Sequence, residues 1–376
     1  MKEKLISLCK ALDEKRNAKL VMTIGVDGFV DEVVHMVDIR HDFDSFDRIK
    51  TIASLGERIS RAAGYSANIE MVPQMLKLGG NGPIYANALI SYGVKLTYAG
   101  ALGVQKIHDV FKDMAERAEK VYGLSEPGHT HCLEFEDGKL MLGKITMLNE
   151  ITWEKFKTAL GGPQAIAQNI NKCDLFGMEN WTMVPYMSHI WKGLIQEVFP
   201  LLEDRETPPI AFFDLADPEK RSKADILEAM QLIGKFDKKS KGKFRAILGL
   251  NEKELYAIAD VFDIPKSGSM QETVTKVYES LNIYCLVVHP VKDACAITEE
   301  GFFHVDGPYC EKPVLTTGAG DNFNAGFTLG MSLGMSPQDS LTLGVCSSGF
   351  YVRNARSANY KEVWDFAEYW AEEGVI

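Results

Sequence analysis

Leu315 to Phe327 read L-T-T-G-A-G-D-N-F-N-A-G-F, a turn of small residues that ends in a carboxylate where an apolar helix begins. Gly318, Ala319 and Gly320 let the chain turn tightly, so backbone N–H groups converge on one point. The electropositive end of the following helix strengthens that anion cradle. Asp321 faces the same point, where a carboxylate can accept the proton of an attacking hydroxyl; cradle and base together suit phosphoryl transfer. An isolated G-x-G-D also suits a plain helix start, because acids are common there. The longer context has to decide.

Three further groups have residue types fit for chemistry. In I-G-V-D-G-F-V-D-E-V-V, Asp27 and Asp31 lie four apart beyond an apolar run, and carboxylates accept strong hydrogen bonds from sugar hydroxyls. Leu78 to Gly103 place Gly79 and Gly80 where a ligand could lie against the backbone, followed by Asn81, a helix start at Pro83 and a stop at Gly93. Asn251 and Glu254, three apart in G-L-N-E-K-E-L, have the spacing of a capping box.

With Thr316 to Gly326 and Leu78 to Gly103 side by side, the chain resembles the ribokinase-like (PfkB-type) carbohydrate kinases, over roughly residues 20 to 355. The resemblance implies an ATP-dependent phosphotransferase acting on a sugar or sugar-like hydroxyl. Asp321 would be the base, with the amides of Gly318, Ala319 and Gly320 holding the moving phosphoryl. Asp31, Asp27, Gly79, Gly80 and Asn81 would contact the sugar. Asn251, Glu254, Thr316, Thr317 and His289 would lie beside the nucleotide, Glu254 reaching Mg²⁺ through water, as suits an ion that keeps much of its hydration. The sequence departs from the family pattern in four places. The segment holding Asp27 and Asp31 is one residue longer than usual, which leaves Asp27 to share or take the role of Asp31. Ile84 stands where an Asn is usual, which leaves Asn81 or Asn87 to supply that contact. Val288 to Ala294 lack two expected glycines, which leaves His289 and Lys292 as substitutes. Leu315 replaces an aspartate tied to a monovalent-cation site. Two alternatives stay open: a sensor that binds carbohydrate or nucleotide without turnover, and an ADP-dependent sugar kinase, which the G-V-D-G-F-V-D start also resembles. The acceptor is unread; Lys144 or Arg40 could serve a phosphorylated one.

The elements that must position these residues follow from hydrophobic periodicity. Short apolar runs at Leu20 to Val26, Leu96 to Leu102, Asp174 to Met178, Ile210 to Leu215, Ala246 to Leu250 and Tyr284 to His289 alternate with helical patterns. The latter include Ile84 to Tyr92, Ile107 to Tyr122, Lys220 to Ile233 (Asp217 and Pro218 giving its start signal) and Asp321 to Leu333. An α/β, doubly wound, mostly parallel sheet with helices on both faces is expected, as one domain over 1–376. Residues 31–68 and 129–153 break the rhythm, the second around the hairpin signal Asp137-Gly138; they are expected to form a small β lid, with a homodimer through that lid as a further expectation.

Composition narrows the function class. The 376 residues carry 41 basic and 52 acidic side chains, a net −11 that opposes nucleic acid or anionic lipid as partner. No stretch reaches the roughly 18 apolar residues of a membrane span. Seven scattered cysteines without a C-x-x-C pair read as reduced core thiols of a cytoplasmic protein. His129, His131 and Cys132 lack further zinc ligands at the right spacing.

Overall fold

The computed structural model describes residues 1–266 and 268–374. Its strands in chain order are β1 (Val21–Val26), β2 (Phe29–Arg40), β3 (Phe46–Arg48), β4 (Met71–Gly79), β5 (Lys95–Gly100), β6 (Lys120–Gly123), β7 (Gly128–Phe135), β8 (Gly138–Lys144), β9 (Leu175–Met178), β10 (Ile210–Asp214), β11 (Arg245–Leu250), β12 (Cys285–Val288), β13 (Asp293–Thr298) and β14 (Gly301–Asp306). Among these residues a nine-stranded sheet runs β14-β13-β12-β11-β10-β9-β1-β5-β6. It is parallel from β12 to β6, with β13 and β14 added antiparallel at one edge.

Burial on both faces explains the unbroken apolar strands. Phe212 belongs to one core layer and its neighbour Phe213 to the other, since successive side chains leave a strand on opposite sides. The helices Lys2–Lys15, Asn81–Ser91, Ala319–Ser332, Pro337–Asn354 and Tyr360–Glu373 supply the Phe212 layer. The expected doubly wound α/β fold is what the chain adopts. After β1 the chain goes to β5 and β6 on one side, then returns to β9 on the other. The strand order therefore reverses at β1 and β9, where open α/β sheets leave a crevice for ligands.

A second sheet is built from β3-β2-β7-β8, with β4 paired to β2. The hairpin around Asp137-Gly138 is present as β7 and β8. The sheet also takes in β4, outside the two stretches the sequence pointed to. Sharing a face with Asp31 are Thr130 and Lys77, its register partners. On the opposite face a row crosses four strands: Leu76, Glu32, His131, Leu142. Leu76 and Leu142 are 57% and 54% exposed.

Two helical expectations shift. The Ile107 to Tyr122 pattern yields a 3₁₀ turn at Asp109–Phe111, a helix at Lys112–Arg117 and then strand β6, because edge pairing with β5 captures the segment after Ala118. Asp217 caps only a 3₁₀ turn at Pro218–Lys220; the long helix starts at Lys223, where the Ser222 hydroxyl accepts from the Asp225 N–H. The cysteines are all free, five buried and Cys9 and Cys310 half-buried.

Candidate active site

Three neighbouring strands, the two at the reversal point and β10 beside them, each hand an acid to the carboxyl edge of the sheet. Asp27 follows β1, Glu179 follows β9 and Asp214 ends β10; all three are buried. Asp27 is wholly enclosed: its carboxylate accepts from the Gly82 N–H at 2.9 Å and from the Asn180 amide at 2.8 Å, while Tyr98 donates to its carbonyl at 2.8 Å. Burial pushes its pKa up to about 6 against the pull of those donors. Asp27 therefore underpins the start of the Asn81–Ser91 helix and, fully buried, is on the wall of neither cavity beside the glycine turn, which corrects its expected sugar contact. Asp214 accepts from Asn81 and from Asn324, each at 3.3 Å. Among the described residues Glu179 has no hydrogen-bond partner on either oxygen, and burial followed by the charges of Asp214, Asp321 and Asp27 holds its carboxyl well above the usual carboxylate range.

The glycine turn opens the Ala319–Ser332 helix. Gly318 is left-handed at φ 96°, and a Cβ there would lie 2.7 Å from the Tyr351 hydroxyl, so glycine is required on both counts. Tyr351 reaches from the Pro337–Asn354 helix and donates to the Thr317 carbonyl at 2.8 Å, fixing the loop. Only part of the expected cradle is free. Ala319 donates its amide to the Thr316 carbonyl at 3.1 Å to close the turn, so it cannot hold an anion. Among the described residues the Gly318 and Gly320 amides have no such acceptor. Asp321 is buried beside them. Burial, then the Asp27 charge, raises its carboxyl well above the usual range, with the Asn81 amide pulling the other way and Glu254 adding to the rise.

This turn separates two cavities. On one side a cleft of about 530 Å³ is lined by Asp31, Gly80, Asn81, Thr317, Gly318 and Asp321, with Thr130, Met141 and Gly143 contributed by the second sheet. Asp31 lies across Gly79, where a Cβ would come within 2.3 Å of its carboxyl carbon; Gly79 thus makes room for Asp31 and is not itself on the wall. Burial raises the Asp31 pKa, with Lys77 and then Thr130 opposing. Lys139 of β8 donates to the Thr317 hydroxyl at 3.2 Å, tying the second sheet to the glycine turn. On the other side a cavity of about 440 Å³ is lined by His289, Val291, Tyr309, Thr316, Ala319, Gly320 and Phe323. The His289 ring packs on Phe323 with centroids 5.0 Å apart, and burial pushes its pKa down to about 4. It can present a neutral imidazole to a nucleotide, not the positive charge a phosphate contact would favour.

Asn251 touches both cavities. It and Glu254 form the expected capping box, and Glu254 accepts from the Asn251 and Asp217 amides, each at 2.9 Å. With one lone pair of each oxygen so engaged, Glu254 suits an outer contact to a hydrated Mg²⁺ and not a bare ligand position. Ala216 and Asp217 sit at φ 56° and 58°, a strained pair that aims the Asp217 backbone N–H at the Glu254 carboxylate.

Several candidates fall elsewhere. Asn87 accepts from Arg117 and is not on the cleft wall, whereas Asn81 is. Lys292 lines neither cavity; Arg40 is tied to Glu70, and Lys144 lies outside the cleft wall. Among the described lining residues Lys220 is the cleft's one cation, and it is paired with Asp217 at 2.9 Å. Sequence reasoning missed Glu179, Asp214, Asn180 and Asn324. The available signal was an acid at the end of successive parallel strands.

Comparison with known proteins places the chain's sequence and fold. The family model for prokaryotic ketohexokinase matches residues 5–370. A ketohexokinase of Haloferax volcanii is 27% identical over 345 residues, covering 91% of this chain and 89% of that protein. Among solved structures, the ribokinase of Thermotoga maritima has a TM-score of 0.62 at 16% identity, covering 93% of this chain and 99% of its own. Arabidopsis thaliana ribokinase complexed with ribose and ATP also scores 0.62 at 16% identity, covering 93% and 98%.

Proposed function

We propose, for a chain that belongs to the prokaryotic ketohexokinase family and is thus an ATP-dependent carbohydrate kinase, that the acceptor is an unphosphorylated ketohexose and that Asp321 removes its proton. One observation carries the reading: Asp321 and its glycine turn form the wall between two cavities, one rich in sugar-binding polar groups and one with apolar walls for a base. Donor and acceptor meet there from opposite sides.

The sugar lies in the cleft with Asp31 and Asn81 accepting from and donating to its hydroxyls, and Gly80 allowing close approach. Asp321 takes the proton of the attacking hydroxyl as its oxygen bonds to the γ-phosphorus. The bond from that phosphorus to the bridging oxygen breaks and ADP leaves. The Gly318 and Gly320 amides carry the charge that gathers on the phosphoryl oxygens. The residues fit Mg²⁺, which would lower the charge of the phosphates and would be held through water by Glu254 and Asn251. Thr316, Thr317 and neutral His289 border the nucleotide. The second sheet acts as a lid: with Lys139 on Thr317 it excludes water that would otherwise take the phosphoryl. The exposed row through Leu76 and Leu142 supports pairing of two lids in a homodimer. Free thiols and the use of ATP suit a cytoplasmic enzyme.

The test is ADP release by the purified protein with ATP across ketohexoses, aldohexoses, pentoses, sugar phosphates and nucleosides. Fastest turnover with a ketohexose is expected. A nucleoside or sugar phosphate as preferred acceptor would refute the assignment, and saturable sugar binding without ADP release would make the protein a sensor.

A further inference from the structure

Two helices that begin in the active site end together at the far edge of the main sheet. Asn81–Ser91 runs on into Tyr92 and Gly93, and Ala319–Ser332 into Leu333. At the α-helical rise they span roughly 15 to 20 Å. Where they end, a cavity of about 370 Å³ opens between them and the helices Lys2–Lys15 and Tyr360–Glu373. None of its lining residues belongs to the catalytic cleft or the nucleotide cavity.

Its walls favour a flat apolar body. Leu20, Val94, Leu329 and Leu333 give an aliphatic floor, and Tyr92, Tyr360 and Trp364 add aromatic surface. Both tyrosine hydroxyls are spent on the protein, Tyr92 donating to Ser347 and Tyr360 to the Leu12 carbonyl, so a ligand meets mainly their rings. The rim is positive. Among the described residues Lys15 and Arg16 have no carboxylate within ion-pair distance, while Lys361 is neutralised by Asp365, and Asp13 is the one unpaired acid. Three cations against two acids leave a small positive excess over an aromatic pocket, in a chain of net −11.

We propose that this cavity is a regulatory site for a small flat anion, an aromatic or heteroaromatic body bearing a carboxylate, sulfonate or phosphate. Its occupant wedges against the C-terminal ends of the helices whose N-terminal ends carry Asn81 and Asp321, so its binding alters acceptor affinity. The coupling exists only if the two helices sit differently with the cavity filled and empty.

Titration of the full chain with 8-anilinonaphthalene-1-sulfonate, the nucleotide cavity first saturated with a non-hydrolysable ATP analogue and Mg²⁺, tests the site by fluorescence. Saturable binding is expected, weakened about tenfold by Arg16→Glu, which reverses an exposed rim charge. Leu333→Trp, which fills the floor, is expected to abolish it. Without the probe Arg16→Glu should leave kcat and KM as in the wild type. With the probe at saturating ATP, the wild-type KM for the acceptor should move and that of Arg16→Glu should move far less. Absence of saturable binding, equal affinity in Arg16→Glu, or binding that leaves KM and kcat unmoved would overturn the proposal. The binding arm does not depend on which sugar is phosphorylated.

Discussion

At the scale of single residues, the site is a concentration of acids that burial makes costly. Glu179 is buried with no hydrogen-bond partner among the described residues, close enough to Asp214, Asp321 and Asp27 for their charges to raise it. A group whose folded pKa is raised binds more protons in the native state than in the unfolded chain, between its ordinary value and its folded one. Stability is thus unaffected below the ordinary carboxylate range and falls as pH rises through that window, which for Asp27 ends at about 6. The ligand-free protein should accordingly unfold at lower urea near neutrality than at about pH 5, and Glu179→Gln should raise the neutral midpoint and flatten the profile. A midpoint for Glu179→Gln at or below wild type at neutral pH would contradict this. Catalysis by the proposed mechanism carries the opposite sign, because a base at Asp321 acts only when ionised. The acid limb of kcat/KM should lie above the usual carboxylate range, and Asp27→Asn should move it to lower pH by removing the leading charge on Asp321. An unmoved limb would remove Asp27 as a tuner of the base.

At the scale of elements, the glycine turn depends on a partner that no local pattern announces. Tyr351 fixes the Thr317 carbonyl from a helix that follows later in the chain. Tyr351→Phe should lower kcat with little change in overall stability, whereas Gly318→Ala, strained at φ 96° and crowded by the tyrosine, should cost about 1–3 kcal/mol of stability as well as activity. Urea midpoints and steady-state rates on the two variants separate these effects. The turn, its helix, the capping box at Asn251 and the Asp137-Gly138 hairpin were legible because each is a contiguous pattern with one local solution. The antiparallel edge strands β13 and β14 and the pairing of β4 into the second sheet were not, since both are settled by what the segment lies beside. Glu179 and Asp214 escaped for a related reason: an acid after a short apolar run looks like any turn until the parallel strands align three such ends. Ala319 failed as a cradle donor because closing the turn consumes its amide, a detail of hydrogen bonding that residue type does not disclose.

At the scale of the whole molecule, the two sheets divide the cleft between them: the main sheet brings the acids and the glycine turn to one edge, and the second sheet contributes Thr130, Met141 and Gly143 to the wall opposite. The exposed row through Leu76 and Leu142 predicts a dimer by sedimentation, converted to monomer by Leu76→Glu with Leu142→Glu; a wild-type monomer at working concentrations would contradict it. The central claim is that the hydroxyl of a bound sugar loses its proton to Asp321 between the two cavities. Its most direct measurement is the single-turnover rate of Asp321→Asn with ATP and a ketohexose, taken alongside calorimetric sugar binding. The expected result is a rate lower by about 10²- to 10⁴-fold with the sugar still bound. A variant that turns over at the wild-type rate would contradict it.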